Sequence, residues 1–374
     1  MTKSDMERAA TEPAAPTVPR EARTRDAVAD KVATVTLRGL PHIPDRVKRL
    51  LLGGRSITLD GNTLDTTLQL MLAGQRALGL DGLVADEDHV AARARLEQLA
   101  GGFKKYIAVP AVIDLAVAGA VGPIPARHYR TDEPDAPLLV FFHGGGHVIG
   151  SIETHDDLCR EICREGKIHV LSVAYRLAPE HKAPAGSQDA YAAYLWAREH
   201  AAELGADPQR VAVGGDSAGA NLAAVVSMRA RDEREMPPAL QLLLYPVTDY
   251  LSQTRSKTLF ARGFFLTKRD IDWFRERFLG GASIDMADPR VSPLLADDLS
   301  GLAPALVVTA GFDPLRDEGR CYADSMRRAG VPVDYREYGS LVHGFANFFP
   351  LGGASATATA EVISAMRAHL TRAC

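Results

Sequence analysis

The chain has 374 residues, 46% hydrophobic and 24% charged, a balance that allows a substantial buried core and excludes the disordered and collagen-like classes. Its formal net charge of −4, with Lys and Arg spread along the sequence, offers no basic stripe to neutralise phosphates and argues against a nucleic-acid partner. The four cysteines form neither a C-x-x-C zinc pair nor a dense disulfide framework. Cys159 and Cys163 share a helical spacing while Cys321 and Cys374 stand alone, so reduced structural thiols are expected.

The opening MTKSDMERAATEPAAP carries acids and prolines in place of an apolar signal region, and no later stretch approaches the roughly 18 apolar residues of a membrane span. A cytoplasmic, unprocessed protein is expected. Residues 1–30 mix Pro, Ala, Arg and Glu without apolar periodicity, cannot repay their ordering entropy, and are read as a disordered tail. Between Asn62 and Leu99 the pattern changes. Leu64, Leu68, Leu70, Met71 and Leu78, then Val90, Leu96 and Leu99, recur at helical spacing between glycine-containing breaks, which fits two amphipathic helices.

Beyond Val109, short apolar runs alternate with longer helical patterns: IDLAV, PLLVFF, KIHVLSVAY, RVAVGG, ALQLLLY, ALVVTAG and VPVDYREY. Continuous apolar strands need helices over both faces, so the core, residues 105–248 and 290–374, is expected to be α/β with a largely parallel sheet. Residues 249–289 interrupt the rhythm with a polar and aromatic stretch too long for a simple connection, read as a helical insertion capping the sheet. Its Phe260, Phe264, Phe265, Trp273, Phe274 and Phe278 either dock a cap helix on the core or line an acyl pocket.

Two glycine motifs carry the chemistry. Gly215-Asp216-Ser217-Ala218-Gly219 fits G-x-S-x-G between the apolar VAVG and the helix-prone ANLAAVVSMRA, the context of a serine forced outward on a strand-to-helix turn. Such a match arises by chance in about one chain of this length in ten, and an ordinary capping serine would look alike. His143-Gly144-Gly145-Gly146 after LLVFF is more specific, expected by chance about once in a hundred such chains. It sets unhindered amides at a strand's C-terminal end, where they can donate to the alkoxide formed when a carbonyl is attacked. No phosphate-loop pattern runs through either motif, and His143 and His147, separated by three glycines, do not make a helical metal pair. No cofactor and no metal are expected.

A serine needs a base, and in this kind of fold the order along the chain is Ser, acid, His. Only His343 and His369 follow Ser217. His369 sits in a terminal amphipathic pattern, whereas His343 lies in GSLVHGF just after the strand-like VDYREY, and is preferred. Among the intervening acids, Asp313 follows ALVVTAG at a strand's C-terminal end, with Pro314 suited to a helix N1 position. Asp317 and Glu318 fall a turn into the next helix, where acids serve the dipole. His343 would take the Ser217 proton and return it to the leaving alcohol, with Asp313 holding the imidazole; water then repeats the cycle on the acyl-enzyme.

HGGG, GDSAGANLA, DPLRDEG and HGF, with YRLAPEHKAPA at 175–185, resemble the hormone-sensitive-lipase family of α/β-hydrolases, particularly its bacterial carboxylesterases, over roughly residues 105–350. The resemblance implies an eight-stranded sheet and a cap built from the N-terminal helices of residues 31–104 plus the insertion at 249–289. It also implies hydrolysis of short to medium acyl esters without a cofactor, the same triad, and an oxyanion hole formed by the amides of Gly144, Gly145 and Ala218. The partner is then a small-molecule ester, and a homo-oligomer is compatible with the sequence. Two departures stand out. Ala220 replaces the glycine usual in GDSAGG, which favours the helix. His147 stands where an aromatic commonly follows HGGG, and is expected either to make the pocket wall more polar or to pack as a flat ring. A ligand-binding protein on this scaffold is the rival class, as in the plant gibberellin receptors, which lack the catalytic histidine; His343 is retained here. Amidase and lipase activity use the same machinery and stay open.

Overall fold

A computed structural model describes residues 39–77, 79–84 and 88–371. The tail expected over residues 1–30, together with Leu78 and Cys374, lies outside the described residues.

Eight strands form one sheet: β1 (Ala111–Gly119), β2 (Gly122–Arg130), β3 (Ala136–Phe142), β4 (His169–Val173), β5 (Ala206–Asp216), β6 (Gln241–Leu244), β7 (Ala305–Phe312) and β8 (Val333–Val342). Their order is β8-β7-β6-β5-β3-β4-β2-β1, with β2 antiparallel to both β1 and β4 and the other pairs parallel. The α-helices are α1 (Asp45–Leu51), α2 (Thr66–Ala77), α3 (His89–Gly102), α4 (Asp156–Gly166), α5 (Ala185–Glu199), α6 (Ala218–Asp232), α7 (Arg255–Leu259), α8 (Lys268–Leu279), α9 (Arg316–Arg328) and α10 (Gly353–Thr371).

Every residue of β3, β4, β6 and β7 is buried, as strands covered on both faces require. The two-residue period of a strand sorts their side chains. Leu139 and Phe141 of β3, Val170 of β4 and Val308 of β7 join Cys159 and Cys163 of α4 and Val362 and Met366 of α10. Leu138, Val140 and Phe142, with Leu171 and Val307, face the opposite way onto α5, α6 and α9. Each such side chain, fully buried, contributes about 1.5–3 kcal/mol. The thiols of Cys159 and Cys163 are free and buried within the first cluster.

Two elements carry no apolar run of their own. β2 reads GPIPARHYR, and its prolines argue against a strand between two neighbours. The carbonyl of Pro125 accepts from Ala174 N at 2.9 Å, so the missing N–H of the same residue faces the same side, past the end of β4, where no ladder bond is lost. Thr58–Leu59 and Asn62–Thr63 pair as a small hairpin across Asp60-Gly61, whose φ of 53° and 79° are those of a type I′ turn. Asp60 then reaches the buried Arg316 at 2.8 Å, pinning the hairpin beside α9.

Above the C-terminal ends of the parallel strands, Val84 and Ala92 pack with Leu266, Trp273, Phe274 and Phe278 and with Val148 and Ile149 of the loop after β3. The buried Asp270 ties these pieces together, accepting from Leu83 N at 3.1 Å, Val84 N at 2.9 Å and Thr267 N at 2.8 Å. Arg93 of α3 donates to the carbonyls of Val148 and Ala178 and forks onto Glu180.

The Asp249–Lys257 segment is fixed by a buried ion pair. Lys257 Nζ lies 2.6 Å from Oε2 of the fully buried Glu318, whose Oε1 accepts from Thr248 N at 2.8 Å. Lys257→Met strands that carboxylate and is expected to cost about 3–5 kcal/mol. The check is the denaturation midpoint, and one equal to wild type would show that the pair supports nothing.

Candidate active site

Ser217 sits between β5 and α6 with φ 55° and ψ −115°, a conformation L-residues avoid. Its own N–H donates to Leu244 O of β6 at 2.8 Å. The turn is this sharp because glycine flanks it: a Cβ at Gly215 or Gly219 would overlap the carbonyl oxygen of Phe142 at the end of β3. The G-x-S-x-G spacing thus lets two backbones touch.

The structure brings Ser217, His343 and Asp313 together from the ends of three strands. His343 Nε2 lies 2.9 Å from Ser217 Oγ, and His343 Nδ1 lies 2.8 Å from Asp313 Oδ2. A carboxylate only accepts, so Nδ1 carries the hydrogen and Nε2 is left as acceptor for the serine hydroxyl. Asp313 is fully buried and its Oδ1 accepts from Leu315 N at 2.8 Å, which fixes the carboxylate before it orients the ring. Tyr245 meets the His343 ring edge-on, centroids 4.8 Å apart. Pro314 lies ahead of α9, not at its N1 position: Leu315 caps the helix and Arg316 begins it. His369 is on α10 and bonds Asp334 at 3.1 Å, outside this group.

The glycine loop requires a correction. Gly144 does not offer its amide to the cleft, because that N–H donates to Asp216 Oδ1 at 2.8 Å. The next two amides do face away from the loop interior, and planarity gives the reason. The Gly144 carbonyl bonds His143 Nδ1 at 2.8 Å, and the Gly145 carbonyl accepts from Val148 N at 3.0 Å and Ile149 N at 2.9 Å. In a trans peptide the N–H points opposite the carbonyl, so the Gly145 and Gly146 amides turn outward, and neither meets an acceptor among the described residues. Ala218 N, at the first position of α6, has no intrahelical partner either.

Three residues behind the loop were invisible to motif reading. The buried Asp216 accepts from Gly144 N and, at 3.0 Å, from Asn347 Nδ2, and lies 3.1 Å from His155 Nε2. Burial acts to raise its pKa, but His155 and the Gly144 amide outweigh that and hold it below the usual carboxylate value. Asp216 was hidden in the variable position of its own motif, while His155 and Asn347 stand in segments with no pattern of their own.

Ser217 and His343 open onto a cleft walled by apolar side chains that include Leu96, Phe103, Leu266 and Phe348. Of the six phenylalanine and tryptophan residues in the 249–289 segment, Phe265 and Phe274 line it, while Phe260, Phe264, Trp273 and Phe278 are packing residues. His147 is not in that wall: it is 1% exposed and stacks flat on Phe278, centroids 4.0 Å apart. The flat-ring expectation holds and the polar-wall one does not.

A hydroxyl, an oriented imidazole and a buried carboxylate beneath outward-facing amides, at the C-terminal edge of a β8-to-β1 sheet of this order, define an α/β-hydrolase. Residues 139–347 match the model of a family described as alpha/beta hydrolase fold, and the chain belongs to that family, in the hormone-sensitive-lipase-like branch its motifs resemble. Among its relatives, the carboxylic ester hydrolase LipN of Mycobacterium tuberculosis is 57% identical over 347 residues, 91% of this chain and 92% of that protein. The ethyl acetate hydrolase of Pseudomonas putida is 36% identical over 313 residues, 81% and 97% of the two chains. In three dimensions the chain is similar to an ester hydrolase, EH1AB1, from the metagenome of Lake Arreo, solved with a bipyridine phosphonate derivative. The TM-score is 0.76 at 41% identity, over 82% of this chain and 97% of that one. No helix among the described residues is long and apolar enough to cross a membrane.

Burial holds three imidazoles neutral: it lowers His128 and His143 to about 4 and His147 to about 3. Unfolded, each binds a proton near its ordinary value of 6.5. The unfolded chain therefore carries more protons, and stability present above that value is lost as pH falls. Between about pH 6.5 and 5, above the carboxylate range, each imidazole is expected to remove roughly 1.5 kcal/mol. Denaturant midpoints across that range should decline steadily; a flat profile would mean that the folded protein protonates these rings.

Proposed function

We propose that this protein hydrolyses carboxylic esters of short to medium acyl chain through an acyl-enzyme, with Ser217 as nucleophile, His343 as base and acid, and Asp313 as the group that orients and stabilises the imidazolium. The Gly145, Gly146 and Ala218 amides hold the oxyanion. The observation that carries this reading is the relay of 2.9 Å and 2.8 Å from Ser217 through His343 to Asp313 at the floor of an apolar cleft. The names of the relatives, ester hydrolases and esterases, support the substrate class.

Attack of Ser217 Oγ on the ester carbonyl transfers the serine proton to His343 Nε2, and Nδ1 keeps its hydrogen bond to Asp313 as the ring becomes cationic. The carbonyl oxygen, now an alkoxide, is met by amides that are already oriented. Such donors stabilise the transition state by about 3 kcal/mol each where they have been removed singly. His343 then protonates the leaving alcohol, and a water deprotonated by the same nitrogen releases the acid. No step calls for a metal or an organic cofactor.

The described residues of the 31–104 segment, which begin at 39, and residues 249–289 are read as two halves of a cap whose apolar side chains receive the acyl chain or the alcohol. The substrate is a small molecule. The free thiols of Cys159, Cys163 and Cys321 support a reducing, cytoplasmic setting.

Two measurements test the reading together. Ser217→Ala should lower turnover of p-nitrophenyl butyrate by about 10⁴-fold or more. Across p-nitrophenyl esters from acetate to palmitate, wild type should be fastest at short and medium chains. Turnover in Ser217→Ala equal to wild type would remove Ser217 as nucleophile, and a maximum at palmitate would make the protein a lipase.

A further inference from the structure

The glycine loop holds three successive left-handed residues: Gly145 at φ 115°, Gly146 at 61° and His147 at 61°. Glycine adopts such angles freely, but a side-chain-bearing residue does so at a cost of about 1–2 kcal/mol, and the conformation persists only where its surroundings enforce it. What enforces it at His147 is unusual. Its carbonyl accepts from Ala178 N at 2.9 Å, yet neither ring nitrogen meets a hydrogen-bond partner among the described residues. The buried ring stacks face to face on Phe278 with an interplanar angle of 13°, and more distantly meets the edge of Tyr175. Phe278 is a residue of α8, outside the sheet, and its carbonyl accepts from Ala183 N at 3.1 Å, which anchors that end of the helix to the core. One turn earlier in α8, the Phe274 ring lies so close to Gly146 that a Cβ there would overlap it.

Resting on the hydrolytic reading above, we propose that helix α8 is a positioning part of the oxyanion site. Phe278 stacked on His147, and Phe274 against Gly146, hold the Gly145–His147 turn in its left-handed course and keep the Gly145 and Gly146 amides aimed at the substrate carbonyl. The covering helix therefore acts on the chemical step as well as on which chains fit. His147 and Phe278 touch neither substrate nor the reacting atoms; they act through the backbone of the two glycines. Because the glycines have no side chains of their own to lock the turn, the neighbouring ring does so for them.

The substrate that isolates this role is p-nitrophenyl acetate, whose acetyl group is too short to lean on the apolar wall. In the full chain, with folding verified by near-ultraviolet circular dichroism, Phe278→Ala and His147→Gly should each lower kcat about tenfold or more while KM changes less than about threefold. His147→Gly is the sharper variant, since glycine accepts the positive φ and loses only the ring. His147→Phe restores the ring and should recover most of the kcat that His147→Gly loses. Inactivation by a p-nitrophenyl phosphonate, which puts a tetrahedral oxygen at the same amides, should slow in parallel. If Phe278→Ala does not fold, the comparison of Gly with Phe at position 147 decides alone. Wild-type kcat in His147→Gly, or a His147→Phe variant as slow as His147→Gly, overturns the proposal. Either result with an inactive Ser217→Ala leaves the hydrolytic reading standing, whereas an active Ser217→Ala removes that reading itself.

Discussion

The site depends on one close approach of backbone to backbone: the elbow at Gly215 and Gly219 against the carbonyl of Phe142 at the end of β3. β3 and β5 are neighbours in the sheet, so their C-terminal ends leave it side by side. Only glycine allows the two chains to come within touching distance there. That contact sets the loop after β3 beside the turn that carries Ser217, so that amides from one strand's end and a hydroxyl from another's line the same cleft. Ser217 bears the strain of the turn in its positive φ, and its N–H bond to Leu244 on β6 anchors it from the other side.

Around this contact the polar groups are arranged so that little of the buried charge is unpartnered. Asp216 gathers donors from the glycine loop and from the segment following His343, and His155 stands against it from the start of the α4 region. A carboxylate so placed joins the segments bearing Ser217, the glycine amides and His343 into one unit. It also settles which amides remain without a partner, because the Gly144 N–H is taken up by its own bond to Asp216. A buried hydrogen-bonding group has room for few partners, and in low-dielectric surroundings each bond it makes is strong enough to dictate a backbone orientation. His143 contributes in the same way, neutral by burial and bonded to the Gly144 carbonyl.

The segments over the site are attached by different means. Asp270 joins residues 83 and 84 to the start of α8, Lys257 and Glu318 fix the stretch after β6, and Arg93 fastens α3 to the carbonyls of Val148 and Ala178. These ties involve backbone groups of loops lacking regular partners, which is why polar side chains are spent there. The aromatic residues of α8 do the opposite work, filling the space between helix and loop with surface that needs no partner.

Much of this protein was determined by its sequence alone. The α/β class follows from apolar runs such as LLVFF and ALVVTAG, since strands buried on both faces leave no polar alternation to read. Ser217, Asp313 and His343, which the structure brings within hydrogen-bond reach of one another, could be singled out because each lies directly after a strand; chain order left two histidines and several acids, and the strand-end position chose among them. Local patterns also contained the Asp60-Gly61 hairpin turn, although two-residue strands give no periodicity to notice. β2 escaped because its prolines are tolerated only where β4 ends, a fact about a neighbour. The tertiary structure alone decided that Gly144 binds Asp216 and that Gly145 and Gly146 face outward, and it alone brought His147 under Phe278, 131 residues away in the chain. A motif records which residues can adopt a conformation; the direction an amide points is set by the partners its neighbours find, and those come from distant segments that meet only on folding.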